Sequence, residues 1–147
     1  MTKKRHSFSY ELFKDKCKEH NLKITPQRIS VYEELFSSPD HPNADVIFRK
    51  VRKTFPNISF DTINRTLLTF AKIGIVRIVE GSGEPKRFDS DIDNHHHFRC
   101  MKCNRIIDFQ NKFYDNIKIP EDFKKQFTVL NKRVVLEGFC NKCKKTS

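Results

Sequence analysis

Apolar residues recur at helical spacing through the first half of the chain and in short strand-like runs through the second. In SFSYELFKDKCKEHNL, Phe8, Leu12 and Phe13 fall about one turn apart and predict a first amphipathic helix. A second is expected over 27–36. Thr25 can cap it and Pro26 fits its first position, where no N–H is needed; Ile29, Val31, Tyr32, Leu35 and Phe36 supply its apolar side. SSPDHPN then breaks the pattern. Asn43 caps a third helix that turns Val46, Ile47, Phe48 and Val51 inward and stops before Pro56. Ser59 caps a fourth, from about Phe60 to Lys72 with Gly74 just past its end, and Ile63, Leu67, Phe70 and Ala71 form its buried stripe.

Asp61, Thr62, Asn64, Arg65, Thr66 and Thr69 lie mostly off that stripe. They form an exposed face of amide, guanidinium and hydroxyl groups of the kind that reads base edges. IVRIVEGSGEPKRFD follows as a β-hairpin: a β-branched run, a Gly-Ser-Gly turn, and a return strand through Lys86 to Phe88. Short helices followed by a hairpin is the order of a winged helix-turn-helix domain, whose last helix enters the DNA major groove. A generic helical domain with a solvated polar face would share the pattern. Beyond SDIDN the strand-like runs are HHHFRC, RIIDF and FTVLNKRVVLEGFC, with a helix possible in between. The boundary is therefore expected near Ser90, giving domains 1–89 and 90–147.

Charge sharpens this picture. The 147 residues carry 29 Lys and Arg against 18 Asp and Glu, a net +11, which favours a polyanionic partner. Up to Ser90 the count is 17 cationic against 11 anionic side chains, and beyond it 12 against 7, so the basicity is not a detachable tail. Four thiolates on Zn2+ would lower the second half to about +3, leaving the first half the more basic. No apolar stretch reaches the length of a membrane span, and MTKKRHSFSY lacks a signal-peptide core; a cytoplasmic protein is expected.

Four of the five cysteines form two CxxC pairs, Cys100/Cys103 and Cys140/Cys143. Each turn of this kind offers two thiolates from one knuckle, and two knuckles complete a tetrahedral structural zinc site. A redox dithiol is the bland alternative, and no strand, CxxC and helix order supports it. Cys17 is the odd cysteine, expected as a partly buried helical thiol. A site saturated by four thiolates has no room for histidine, so NHHHFRC needs another reading. On a strand His95 and His97 share one face and His96 the other, while Asp108 interrupts an apolar strand in RIIDF. His95, His97 and Asp108 therefore predict a second site, with N and O donors suited to Fe2+, Mn2+ or Zn2+. A solvated histidine run is the alternative.

ITPQR at 24–28, HPNAD at 41–45, KRFD at 86–89, HHHFRCMKC at 95–103, IIDF at 106–109 and GFCNKC at 138–143 resemble the ferric uptake regulator family of metal-sensing repressors, in the family's order and near its spacings. The resemblance covers nearly the whole chain. It implies an α+β fold: an N-terminal winged helix-turn-helix domain, a hinge, and a C-terminal α/β dimerisation domain with a four-cysteine structural zinc site. It further implies a homodimer that binds a double-stranded DNA operator, with no membrane and no small-molecule substrate. Carried over, Cys100, Cys103, Cys140 and Cys143 hold structural Zn2+. His41, Asp89, His95, His97 and Asp108 hold a regulatory Fe2+ or Mn2+. Thr62, Asn64, Arg65, Thr66 and Arg28 face DNA. Two aspartates among the regulatory ligands resemble the peroxide-sensing branch, in which Fe2+ reacts with peroxide and a ligand histidine, here His95 or His97, is oxidised.

The chain departs from the family pattern twice. Asn131 and Lys132 stand where a further family metal site has a histidine, which argues against that site and against His96 as a ligand. Thr62, Ile63, Asn64 and Arg65 replace the usual T-V-Y-R or T-V-Y-N, which removes an aromatic contact to thymine. Two other classes remain open: an iron-uptake or other Zn or Mn homeostasis repressor of the same family, and a non-haem metalloenzyme. The latter lacks an H-x-D or H-x-E pair and an obvious general base, so no enzyme is expected.

Overall fold

The computed structural model describes residues 10–80 and 85–144, which form two compact units, one ending at Ile92 and the other starting at Asp93. Among these residues no helix is long and apolar enough to cross a membrane.

The first unit contains α1 (Tyr10–Glu19), α2 (Pro26–Ser37), α3 (Ala44–Val51) and α4 (Phe60–Ile73), then β1 (Arg77–Ile78) and β2 (Phe88–Asp89). Three helices begin as their caps require. The side chains of Thr25, Asn43 and Ser59 accept from the backbone N–H of Arg28, Val46 and Thr62 at 3.2, 3.0 and 3.1 Å. Gly74, at φ 84°, closes α4 in the left-handed conformation and returns its N–H to Phe70 and Ala71. Helix α1 differs from expectation. Leu12 is 45% exposed, and the buried pair is Phe13 with Cys17, which is fully buried rather than partly so; Phe8 lies outside the described residues. The reason is aromatic packing: Phe13 stacks on Tyr32 at 4.8 Å and meets Phe70 edge-on at 5.7 Å. These rings centre a core completed by Val31, Leu35, Ile47, Val51, Ile63, Leu67 and Phe88. Ala71, expected in the buried stripe of α4, is half-buried.

Strands β1 and β2 pair antiparallel with Arg77 opposite Asp89 and Ile78 opposite Phe88. The Gly-Ser-Gly turn expected between them lies outside the described residues. On its other side β2 is tied to the start of α3: Phe88 N–H donates to the Pro42 carbonyl at 2.9 Å, and Arg87 bridges Asn43.

The second unit is a three-stranded sheet of order β4-β3-β5, with β3 (His96–Cys100), β4 (Ile106–Phe109) and β5 (Val135–Gly138). β3 pairs antiparallel with β4 and parallel with β5. Two short helices, α5 (Lys112–Asp115) and α6 (Glu121–Gln126), lie between β4 and β5 in sequence. The last strand is shorter than expected. Residues 127–134 are not strand, and Phe127, Val129 and Leu130 are exposed; among the described residues only at Val134, whose carbonyl accepts from His97 N–H at 3.1 Å, does this stretch reach β3. Among the described residues of this unit, Ile106 is the one buried apolar side chain besides Cys100 and Cys140.

Candidate metal centres and nucleic-acid interface

The sheet order explains how CxxC pairs with 36 residues between them can meet. One knuckle is the turn from β3 to β4, where Cys100 N–H donates to the Arg105 carbonyl and Asn104 takes φ 60°. The other follows β5, whose parallel register sets Gly138 opposite Cys100. The four sulfurs consequently lie within 4.8 Å of one another. Cys103 Sγ and Cys140 Sγ are 3.9 Å apart, close to the ~3.8 Å that tetrahedral geometry gives for Zn–S bonds of about 2.3 Å, and all four thiols are free of disulfides. Backbone N–H groups prepare the charge. That of Cys103, helped by those of Cys140 and Lys102, draws the Cys100 thiol down to about 6 against the opposing effect of burial. Burial acts most strongly on Cys140 and raises it, but the N–H groups of Cys143 and Lys142 outweigh it and the net shift is downward. Burial and the neighbouring sulfurs push Cys143 up to about 12. A protein with thiolate on one corner and a tightly held proton on another has the donor set of a structural zinc site, since a divalent cation lets all four be thiolates.

The second cluster of this unit sits on β3 and β4. His97 and Asp108 are cross-strand partners, with His97 Nε2 3.1 Å from Asp108 Oδ1. His95, two residues earlier on the same face, brings its Nε2 to 3.0 Å from His97 Nε2 and 3.8 Å from Asp108 Oδ1. His95 Nδ1 is 2.7 Å from the Asp93 carbonyl. A carbonyl can only accept, so this contact places the proton on Nδ1 and leaves the Nε2 lone pair aimed at His97 and Asp108. That is how a protein orients a metal-ligating imidazole. Both rings are buried, and the N/N/O set fits Fe2+, Mn2+ or Zn2+.

In the first unit, His41 and Asp89 are also buried, with Nε2 and Oδ2 3.8 Å apart. They meet because β2 is laced to residues 41–43: the Arg87 Nε donates to the His41 carbonyl at 2.6 Å, and Asp91 N–H donates to Asp89 Oδ1 at 2.9 Å. Sequence reasoning missed the role of Arg87; no local signal announces a hydrogen bond spanning 46 residues.

His96 points to the opposite face of β3, as alternation requires. Its Nδ1 accepts from Val134 N–H at 3.0 Å, so Nε2 carries the proton and donates to Asp115 Oδ1 at 2.7 Å. Both nitrogens are thereby engaged. Asp115 was not foreseen either, because its partner is in another element.

On α4, Thr62, Asn64 and Thr66 are half-buried and Arg65 is exposed. Arg65 pairs with Asp61 one turn earlier. The Thr66 hydroxyl donates to the Thr62 carbonyl at 2.7 Å and that of Thr69 to the Arg65 carbonyl at 2.8 Å. Arg28 is placed differently: its Nη1 donates to the Lys23 carbonyl at 2.6 Å, bracing the turn before α2.

Comparison with known proteins gives these groups a context. The ferric uptake regulator family matches residues 19–137. The peroxide-responsive repressor PerR of Staphylococcus epidermidis is 37% identical over 123 residues, 84% of this chain and 82% of that protein. The structure of the Helicobacter pylori ferric uptake regulator Fur aligns with TM-score 0.74 at 24% identity, covering 91% of this chain and 90% of its own, a likeness of fold alone. That of PerR from Streptococcus pyogenes, described for peroxide sensing and gene regulation, aligns with TM-score 0.51 at 27% identity, covering 91% and 92%. With a family match across most of its length and a relative above one-third identity over most of both proteins, this chain belongs to the ferric uptake regulator family, whose members are metal-dependent transcriptional regulators that bind DNA operators as dimers and are not enzymes.

Proposed function

We propose that the protein is a DNA-binding repressor that senses peroxide through Fe2+ held by His41, Asp89, His95, His97 and Asp108, with Zn2+ on Cys100, Cys103, Cys140 and Cys143 as a permanent structural ion. Residues 1–89 form the DNA-binding domain with its hinge and residues 90–147 the metal-binding dimerisation domain, working in the cytoplasm. The observation that carries this reading is the His95 lone pair, fixed by the Asp93 carbonyl and facing His97 and Asp108 in a buried corner. The exposed apolar side chains of Phe113, Phe123, Phe127, Leu130 and Phe139 in the second unit support a homodimer. Two aspartates, and identity with peroxide-responsive repressors, favour peroxide over iron supply as the signal.

The five ligands come from both domains, so binding them to one ion biases the hinge toward a DNA-competent arrangement. Fe2+ held by these residues would activate hydrogen peroxide, with a ligand imidazole as the net two-electron donor. In net balance one oxygen atom passes to the imidazole of His95 or His97 and the rest leaves as water. The oxidised ring is a poorer ligand, the bias is lost and DNA is released.

The test compares Fe2+-loaded with Mn2+-loaded protein after brief peroxide. One added oxygen on the 94–99 peptide and loss of DNA binding are expected with Fe2+ alone. An unmodified Fe2+ sample would leave a plain metal-responsive repressor. His97→Ala should retain zinc and fold yet lose metal-dependent DNA binding; if it still binds DNA on metal addition, the five-ligand assignment fails.

A further inference from the structure

We propose that Asp61 determines base specificity by holding Arg65 in position for a guanine while opposing unspecific contact with phosphates. This rests on α4 being the element that reads DNA.

Asp61 and Arg65 stand one turn apart on α4, and their side chains are 67% and 77% exposed. Arg65 Nε donates to Asp61 Oδ2 at 2.9 Å, and Nη2 donates to the same oxygen. Arginine has five N–H donors. The carboxylate takes the Nε–H and one Nη2–H, the side edge of the fork, and leaves the end edge, the second Nη2–H and both Nη1–H, unspent. That end edge has the geometry that pairs bidentately with guanine O6 and N7. A free arginine would have to give up its rotamer freedom on the DNA; here the side chain is already confined.

The neighbouring groups sharpen the contrast. The hydroxyl hydrogens of Thr66 and Thr69 are committed to the helix backbone, so these residues can offer DNA only lone pairs. Asn64 makes no side-chain hydrogen bond among the described residues, and its amide is able to pair with adenine. Apart from Thr62, whose hydroxyl shares a hydrogen bond with that of Ser59 at 2.9 Å, the donors on this face are the Asn64 amide and the outer edge of Arg65, one loose and one braced. The brace is anionic. Asp61 lies where a protein of net charge +11 would meet a polyanion, so it weakens every approach alike, and only a guanine contact by the braced Arg65 offsets that cost.

The experiment selects duplexes from a random-sequence library with the zinc-containing full chain in excess Mn2+, using wild type, Asp61→Ala, Asp61→Asn, Arg65→Ala and Asn64→Ala. Far-UV circular dichroism confirms each fold; an exposed pair one turn apart is not needed for it. Arg65→Ala should erase preference for guanine at one position. Asp61→Ala should lower that same preference about two- to fivefold while binding random duplex severalfold tighter. Asp61→Asn keeps an acceptor oxygen without the charge, so it should bind random duplex tighter and retain most of the preference. If Asp61→Ala binds tighter with the guanine preference intact, Asp61 merely repels phosphate and the proposal is overturned. If Asp61→Ala changes neither quantity, the pair is only a helix contact, and the proposal is again overturned. If Arg65→Ala and Asn64→Ala both leave base selection unchanged, α4 is not the reading element and the proposal falls with that assignment.

Discussion

Removing one zinc ligand should unfold half of this protein and spare the other half. The core of the first unit is built on Phe13, Phe70, Leu67, Ile63 and their neighbours, all fully buried. In the second unit the described residues offer Ile106 besides the cysteines, and burying such a side chain stabilises by about 1.5–3 kcal/mol. A structural Zn2+ contributes roughly 10–16 kcal/mol at neutral pH. Shared over four thiolates, Cys140→Ser therefore removes about 2.5–4 kcal/mol, at least comparable to all that Ile106 supplies. Hydrogen exchange read by mass spectrometry, with zinc content measured on the same samples, separates the units. Peptides covering β3 (His96–Cys100) and β5 (Val135–Gly138) should exchange as unfolded chain, while those covering α4 (Phe60–Ile73) keep wild-type protection. Chelation of the wild type should reproduce the pattern. Zinc-free protein that still protects β3 would refute the reasoning, because the strand would then be held by something other than the thiolate cluster.

Asp115→Ala should destabilise the second unit by about 1–3 kcal/mol in denaturant unfolding, since it leaves the buried His96 Nε2–H without an acceptor. Asp115→Asn, which keeps an acceptor, should recover most of that; equal losses for both variants would show that charge rather than hydrogen bonding matters. Burial raises the Cys17 thiol above its ordinary value of 9.0. The unfolded chain then holds fewer protons than the folded one above pH 9, so stability from this group is full below that pH and is lost as pH rises beyond it. Cys17→Ala should flatten the alkaline limb of a stability-against-pH curve, and an unchanged slope above pH 9 would count against the assignment. Ser59→Ala should cost about 1 kcal/mol of first-unit stability by removing the cap on α4, measured by thermal unfolding; no shift would mean that water replaces the hydroxyl at no cost.

What the amino-acid order determined by itself is local. Caps at Thr25, Asn43 and Ser59 and the glycine at the end of α4 are legible because a helix end is satisfied by residues within one turn of it. The two CxxC knuckles are legible for the same reason, each bite being closed by three peptide units. Alternation alone sets His95 and His97 on one face of β3 and His96 on the other. Tertiary structure decided everything that depends on partners distant in sequence. The parallel pairing of β5 with β3 brings Cys140 and Cys143 beside Cys100, and no periodicity encodes which strand pairs with which. Packing of Phe13 between Tyr32 and Phe70 turned α1 so that Cys17, not Leu12, is buried, because ring stacking outweighs the burial of one leucine. The hydrogen bonds of Arg87 with His41 and of His96 with Asp115 are likewise invisible in sequence. Their directional geometry joins residues 46 and 19 apart, and only the folded backbone sets that distance.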